Sequence, residues 1–66
     1  MNYKIIRNKV EEHLNIDIET PTRKRDYVYA RALYFGLCRE VLNMGLAQIG
    51  DTLGFDHATV LHHTRN

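Results

Sequence analysis

The sequence predicts an all-α fold, a small helical bundle of about four helices that contains a helix-turn-helix. Apolar residues recur at helical spacing in separate segments, and a proline or a glycine stands where those segments break. The 66 residues are 44% hydrophobic and 26% charged, which is the balance of a folded domain and not of a disordered one. This length suffices for one compact unit, so we expect residues 1–66 to form a single domain.

The first helix is predicted from Asn2 or Tyr3 to Leu14, with Asn2 as its N-cap. Its apolar side chains form one i, i+4 row with a single neighbour beside the row. These residues are Ile6, Val10, Leu14 and Ile5. We expect this row to face the core.

A connection follows over Asn15–Pro21, in which Ile16 and Ile18 alternate with polar residues. Pro21 disfavours helix at the residue before it, so this stretch is interpreted as a tucked loop. Its two isoleucines are expected to fill the core.

A long helix is predicted to start at Thr22, or at Thr20 with Pro21 in the first helical position. It should end near Asn43 and Met44, with Gly45 as the C-terminal stop.

The middle of this long helix, residues 33–38, is apolar around most of its circumference, which predicts a central position. Gly36 lies inside that stretch and costs up to about 1 kcal/mol relative to alanine in a helix. We therefore expect another helix to cross closely at Gly36.

The last 21 residues, Leu46 to Asn66, have the pattern of a helix-turn-helix. Ala47, Ile49 and Leu53 form an apolar stripe, and Gly54 permits a sharp reversal at positive φ. A second helix then opens with four small or polar residues and turns Val60 and Leu61 inward; the four are Asp56, His57, Ala58 and Thr59. Its first turn should face outward, where it could enter a DNA major groove.

The charge distribution is uneven although the net charge is only +1. Residues 1–19 hold three basic and four acidic side chains, a balance of −1, and residues 20–66 hold six basic and four acidic ones, a balance of +2. The dense basic run is Arg23, Lys24 and Arg25. A patch of this kind is sufficient for contacts to phosphates, although alone it also fits a solvated loop.

The remaining chemistry excludes several classes of function. Cys38 is the one cysteine and lies in an apolar run, which fits a buried thiol in a reducing cytoplasm. No stretch approaches the roughly 18 apolar residues of a membrane span. Adjacent His62 and His63 point about 100° apart on a helix, so we expect no metal site. We expect no cofactor and no enzymatic activity, since no acid-base or nucleophile constellation is evident.

These residues resemble the C-terminal origin-binding domain of the bacterial replication initiator DnaA family. The resemblance is carried in order by four groups of residues. They are Thr22 to Arg25, then Ala30 with Arg31, then Leu46, Gln48, Ile49 and Gly50, and finally Asp56 to His62. The resemblance implies a DnaA domain IV-like, Trp-repressor-like fold that binds double-stranded DNA in replication initiation or transcription regulation.

The resemblance also implies roles for individual residues. Arg23 would reach into the minor groove, and Arg31 would approach DNA near the major groove. Lys24 and Arg25 would contact the backbone. The signature residues that would read base edges are Asp56, His57, Ala58 and Thr59. Within the monomer, Arg31 has the alternative of pairing with Asp26 or another acid, and Asp56 that of serving as an N-cap.

The chain departs from the family pattern at several positions. Only Gly54 and Phe55 precede Asp56, where the family usually has two glycines and a basic residue. Ala58 replaces the first Thr or Ser of the signature, and Ala32 replaces a polar residue. No Gly-rich phosphate loop is present, so we expect no ATP as a ligand and no origin melting by this chain alone.

The leading hypothesis is a module that recognises a short A/T-rich initiator-type box in double-stranded DNA. The alternative is a protein–protein interaction module that keeps the helix-turn-helix without specific DNA binding. The possible protein partners are a second copy in a homodimer and a replication protein, and no membrane partner is expected.

Overall fold

The computed structural model describes residues 2–64, which fold into four helices and contain no strand. The helices are α1 (Tyr3–Leu14), α2 (Arg25–Leu42), α3 (Leu46–Leu53) and α4 (His57–Thr64). The prediction of an all-α bundle of about four helices is confirmed.

Helix α1 begins and ends at the predicted residues. The Oδ1 atom of Asn2 accepts hydrogen bonds from the backbone N–H groups of Lys4 and Ile5, at 2.9 and 3.3 Å. Asn15 closes the helix in the left-handed conformation, at φ 55°. Ile6 and Val10 are buried as expected. The expectation for Ile5 was wrong, because its side chain lies one residue off the buried row and is 41% exposed.

Helix α2 begins later than predicted, at Arg25 instead of Thr22 or Thr20. The reason is a competing turn, in which the Thr22 N–H donates to the Thr20 carbonyl at 2.8 Å and the Thr22 Oγ1 accepts from the Lys24 N–H at 3.3 Å. Threonine side chains that bond the local backbone in this way stabilise a turn against a helix. Arg23 and Lys24 consequently lie in a loop.

The C-terminal end of α2 also differs from the prediction. Helix α2 ends at Leu42, and Asn43 takes the left-handed closing position at φ 54° while its N–H donates to the Cys38 carbonyl. Gly45 has φ −71° and is the N-cap of α3, so it is not the stop of α2. The Oε1 atom of Gln48 accepts from the Gly45 N–H at 2.9 Å and thereby closes the start of α3.

Helix α2 is central, as predicted, because it packs against each of the other three helices. The core draws on all four helices and on the loop before α2. Its buried apolar residues are Ile6, Val10, Ile18, Ala30, Tyr34, Phe35, Cys38, Ile49 and Val60. Ile18 fills the core from the loop as expected, whereas Ile16 is half-buried at its edge.

The predicted close crossing at Gly36 is wrong. A Cβ placed at Gly36 would meet no atom within 4 Å, so no neighbouring helix requires glycine there. The close approach occurs at Gly50, where an added Cβ would overlap the Phe55 carbonyl oxygen and lie 3.1 Å from its carbonyl carbon. Sequence pattern shows that a helical glycine is costly, but it does not show which glycine faces a neighbouring backbone.

Across residues 2–64, no helix combines the length and the apolar character that crossing a membrane would require.

Candidate nucleic-acid interface

The turn between α3 and α4 is built around the carbonyl oxygen of Gly50. That oxygen accepts from the N–H of Gly54 and, at 2.9 Å, from the N–H of Phe55. Gly54 adopts φ 79°, so the predicted reversal at positive φ is confirmed. The missing Cβ of Gly50 leaves room for the Phe55 backbone, which brings the start of α4 back against α3.

The first turn of α4 faces outward, as the sequence predicted. Asp56, His57 and Ala58 are exposed and Thr59 is half-buried, while Val60 is fully buried and anchors the helix. The Asp56 Oδ1 accepts from the Thr59 N–H at 2.8 Å, so Asp56 is the N-cap of α4. This hydrogen bond lowers the pKa of the Asp56 carboxyl below its ordinary value, so the cap is negatively charged at neutral pH.

Two apolar residues of the helix-turn-helix do not take their predicted inward positions. Ala47 is exposed and Leu61 is 40% exposed, whereas Ile49 and Val60 are fully buried. Each helix has only eight residues, and its one fully buried apolar side chain is Ile49 in α3 and Val60 in α4. Ala47 and Leu61 therefore lie toward solvent.

The basic run lies on the surface at the start of α2. Arg23 and Lys24 are exposed loop residues, and Arg25 is the exposed first residue of the helix. The loop itself is anchored, since Ile18 is fully buried and its N–H donates to a carboxylate oxygen of Glu11 at 3.0 Å. The basic run, residues 23–25, therefore projects from a loop that is fixed to the core.

Arg31 is buried, with 6% of its surface exposed, and its guanidinium is directed at the loop. Its Nε donates to the Ile18 carbonyl at 2.9 Å, its Nη1 donates to the Thr22 carbonyl at 2.8 Å, and its Nη2 donates to the Thr20 carbonyl. The alternative that Arg31 pairs with an acid is wrong, because the ion pairs of the described residues are those of Arg7 with Glu11 and Glu19. A direct approach of Arg31 to DNA stays a prediction.

A groove between α2 and α4 joins the two predicted DNA-contacting segments. Its lining includes Arg23 and Arg31 from one segment and Thr59 from the other. Lys24 and Arg25, and likewise the exposed residues 56–58, lie outside that lining. The structure therefore brings three of the eight predicted site residues to one concavity, and the other five flank it.

The groove also contains basic and titratable side chains that sequence reasoning did not select, namely Arg39, His62 and His63. Arg39 follows Arg31 by eight residues, which is close to two helical turns and places both on one side of α2. The eight-residue spacing from Arg31 could therefore have identified Arg39 as a candidate from the sequence. His63 is held by a contact of its Nδ1 with the Thr59 carbonyl at 2.9 Å and by edge contact with Phe35 at 5.5 Å between ring centroids.

Within residues 2–64, no three His, Cys, Asp or Glu side chains are grouped so that they could hold a metal ion. The Cys38 thiol is fully buried, and burial raises its pKa, as expected of a packed apolar group and not of a nucleophile.

A family model described as the bacterial DnaA protein helix-turn-helix matches residues 3–66. The chain belongs to this family. The DnaA helix-turn-helix is a DNA-binding domain of replication initiation, and the resemblance seen in the sequence is confirmed.

Curated relatives carry the name chromosomal replication initiator protein DnaA. The protein of Thermoanaerobacter pseudethanolicus is 34% identical over 62 residues, which cover 89% of this chain and 14% of the relative. That of Corynebacterium aurimucosum is 40% identical over 58 residues, covering 82% of this chain and 11% of the relative. The chain thus spans about one seventh of the length of these DnaA proteins, or less. No solved structure matches it.

Proposed function

We propose that this DnaA-type domain binds a short A/T-rich initiator-type box in double-stranded DNA and regulates replication or transcription. Helix α4 would enter the major groove, and Arg23 would enter the adjacent minor groove. The observation that carries the proposal is the exposed first turn of α4, which shares one groove-bearing face with the basic loop.

The side chains of that turn are suited to reading base edges. The Asp56 carboxylate can accept from a cytosine amino group, and His57 can donate or accept at a purine. The methyl groups of Ala58 and Thr59 can lie against the methyl group of thymine. Because Val60 is fully buried, the helix is seated on the core while Asp56, His57 and Ala58 are exposed and Thr59 is half-buried.

The basic loop supplies the second contact. A guanidinium is drawn to the enhanced negative potential of a narrow A/T-rich minor groove, and Arg23 is exposed on an anchored loop. Lys24 and Arg25 are placed to contact phosphates. Three of the five N–H donors of Arg31 bond to carbonyls. Arg31 also lines the groove, which supports its proposed approach to DNA.

We further propose that the domain acts in the cytoplasm by binding and not by catalysis, without ATP of its own. A second copy or a replication protein is the proposed protein partner. One recognition helix makes a small interface, so a second DNA-binding unit would raise the specificity.

The test is an anisotropy titration of a labelled duplex carrying an A/T-rich initiator-type box, with a scrambled duplex for comparison, at two salt concentrations. We expect preference for the box and weaker binding at higher salt. The His57→Ala variant should reduce discrimination, and Arg23→Ala should reduce affinity for the box about 5- to 150-fold. Lys9→Ala is the matched control, since it removes an exposed charge of α1 outside the groove.

The alternative of a protein interaction module is favoured by two exposed apolar residues on the groove, Tyr29 at 60% and Leu61 at 40% exposure. The uncharged Phe55, where the family usually has a basic residue, points the same way. Equal binding of wild type to both duplexes, unaffected by Arg23→Ala, would decide for this alternative.

A further inference from the structure

We propose that Arg31 is a positioning residue that fixes the placement of the basic loop relative to α4. The proposal rests on the proposed function, because it assigns to Arg31 the spacing between the minor-groove and major-groove contacts. It goes beyond a direct contact of Arg31 with DNA, since its action passes through Arg23 and through the turn before Asp56.

On the loop side, one guanidinium binds three backbone carbonyls. Its three nitrogens donate to the carbonyl oxygens of Ile18, Thr20 and Thr22, which are alternate residues of the same loop. Arg23 is the next residue after Thr22. A planar group with donors in fixed directions therefore holds the backbone from which Arg23 projects.

On the other side, the same guanidinium lies over the ring of Phe55, with its Cζ 5.7 Å from the ring centroid. The Phe55 ring also meets Phe35 edge to face, with 6.0 Å between centroids, and its backbone is bonded to the Gly50 carbonyl. Phe55 immediately precedes the N-cap of α4. A cation on an aromatic face is attracted to it, so Arg31 links the loop to the start of α4.

This arrangement gives the Phe55 ring a part in joining the two segments. A basic residue there would place a second positive charge beside the Arg31 guanidinium, whereas a phenylalanine ring attracts it. The Phe55 ring thus provides a packing contact between the two segments. We therefore expect the segments to bind DNA as one rigid unit.

A rigid unit is sensitive to the spacing of its two sites on DNA. One inserted base pair moves the sites apart by about 3.4 Å and rotates them by about 35°, since a turn of B-DNA has 10–10.5 base pairs. Lysine keeps the charge of Arg31 but lacks the planar fork, so it cannot hold three carbonyls and stack on a ring together.

The decisive experiment is a double-mutant cycle measured by anisotropy on the box duplex. It compares wild type, Arg31→Lys, Arg23→Ala and the double variant. If Arg31 acts through the loop, Arg31→Lys should lower affinity about tenfold with Arg23 present and less than about twofold with Arg23 removed. An equal loss in both backgrounds would show that Arg31 contributes independently of Arg23, and would overturn the proposal.

A spacing series adds a readout that a merely structural role would not change. Wild type is titrated against the box and against a box with one base pair inserted between the A/T-rich tract and the remainder. We expect the insertion to weaken wild type more than it weakens Arg31→Lys. An identical ratio for the two proteins would contradict a positioning role.

Phe55→Leu supplies an independent variant if circular dichroism shows that Arg31→Lys does not fold. Leucine retains an apolar side chain and removes the ring under the guanidinium, so it should lower box affinity in the same direction and show the same dependence on Arg23. Additive effects of Phe55→Leu and Arg23→Ala would overturn the link. If the wild-type protein shows no preference for the box, both the proposed function and this inference are wrong. If it prefers the box but the effects of the two substitutions are additive, only this inference is wrong.

Discussion

Gly50→Ala is the substitution for which the structure makes the sharpest prediction. The new Cβ would overlap the carbonyl oxygen of Phe55 and lie 3.1 Å from its carbonyl carbon and 3.2 Å from the carbonyl oxygen of Asp56. All three obstructing atoms belong to the backbone, so no side-chain rotation relieves the overlap. The turn before α4 would have to move away from α3.

The size of the effect follows from two opposing contributions. Overpacking of a tight site typically costs about 1–3 kcal/mol, and rigid backbone favours the upper part of that range. The gain in helix propensity from glycine to alanine offsets up to about 1 kcal/mol. We expect a net loss of about 2 kcal/mol, which lowers the melting temperature of a domain of this size by roughly 8–16 °C.

Urea unfolding followed by circular dichroism measures this change, and Gly36→Ala is its matched control. Both substitutions add one methyl group to a helical glycine, but a Cβ at Gly36 meets nothing within 4 Å. Gly36→Ala should therefore raise the free energy of unfolding by up to about 1 kcal/mol. A Gly50→Ala protein as stable as wild type, or two variants that change stability equally, would refute the assignment of the close approach.

Three further predictions concern two helix caps and one buried tyrosine. Asn2→Ala removes the cap of α1 and should cost about 1 kcal/mol of unfolding free energy in urea titrations, with no effect on DNA affinity. Burial raises the pKa of Tyr34 to about 12, so the stability it contributes is complete below pH 10 and is lost as the pH rises toward 12. Tyr34→Phe should reduce the alkaline destabilisation in denaturation measured across that range, and the buried Cys38 thiol, whose pKa is also raised, should account for part of the remainder. The pKa of Asp56 is lowered by the Thr59 N–H, so the cap of α4 should persist above pH 3.8 and weaken as the pH falls through the lowered value; Asp56→Asn should remove that dependence.

Local sequence signals predicted the parts of the fold that depend on local chemistry. Asn2 and Gly54 were placed correctly because capping and positive φ are properties of single residues. The start of α2 was missed because Thr22 can cap a helix or close a turn, and the choice depends on where the loop is held. The close approach was expected at Gly36 and occurs at Gly50, because it depends on which helix face meets a neighbouring backbone.

The candidate site divides in the same way. An outward first turn of α4 follows from the small or polar residues 56–59 before the buried Val60, and the sequence predicted it. The burial of Arg31 did not follow, because its partners are backbone carbonyls and every residue has one. The pattern of side chains in a sequence therefore does not indicate which backbone carbonyls an arginine will bind.

The packing order of the helices bears on how the protein reaches its native state. Each helix packs against the next one in the chain, and the one further pairing of comparable extent described, of α2 with α4, skips a single helix. A chain whose contacts mostly join residues close in sequence has few conformations to search before it folds. Such chains fold on the microsecond to millisecond scale. We therefore expect this domain to refold within about a millisecond after a brief unfolding.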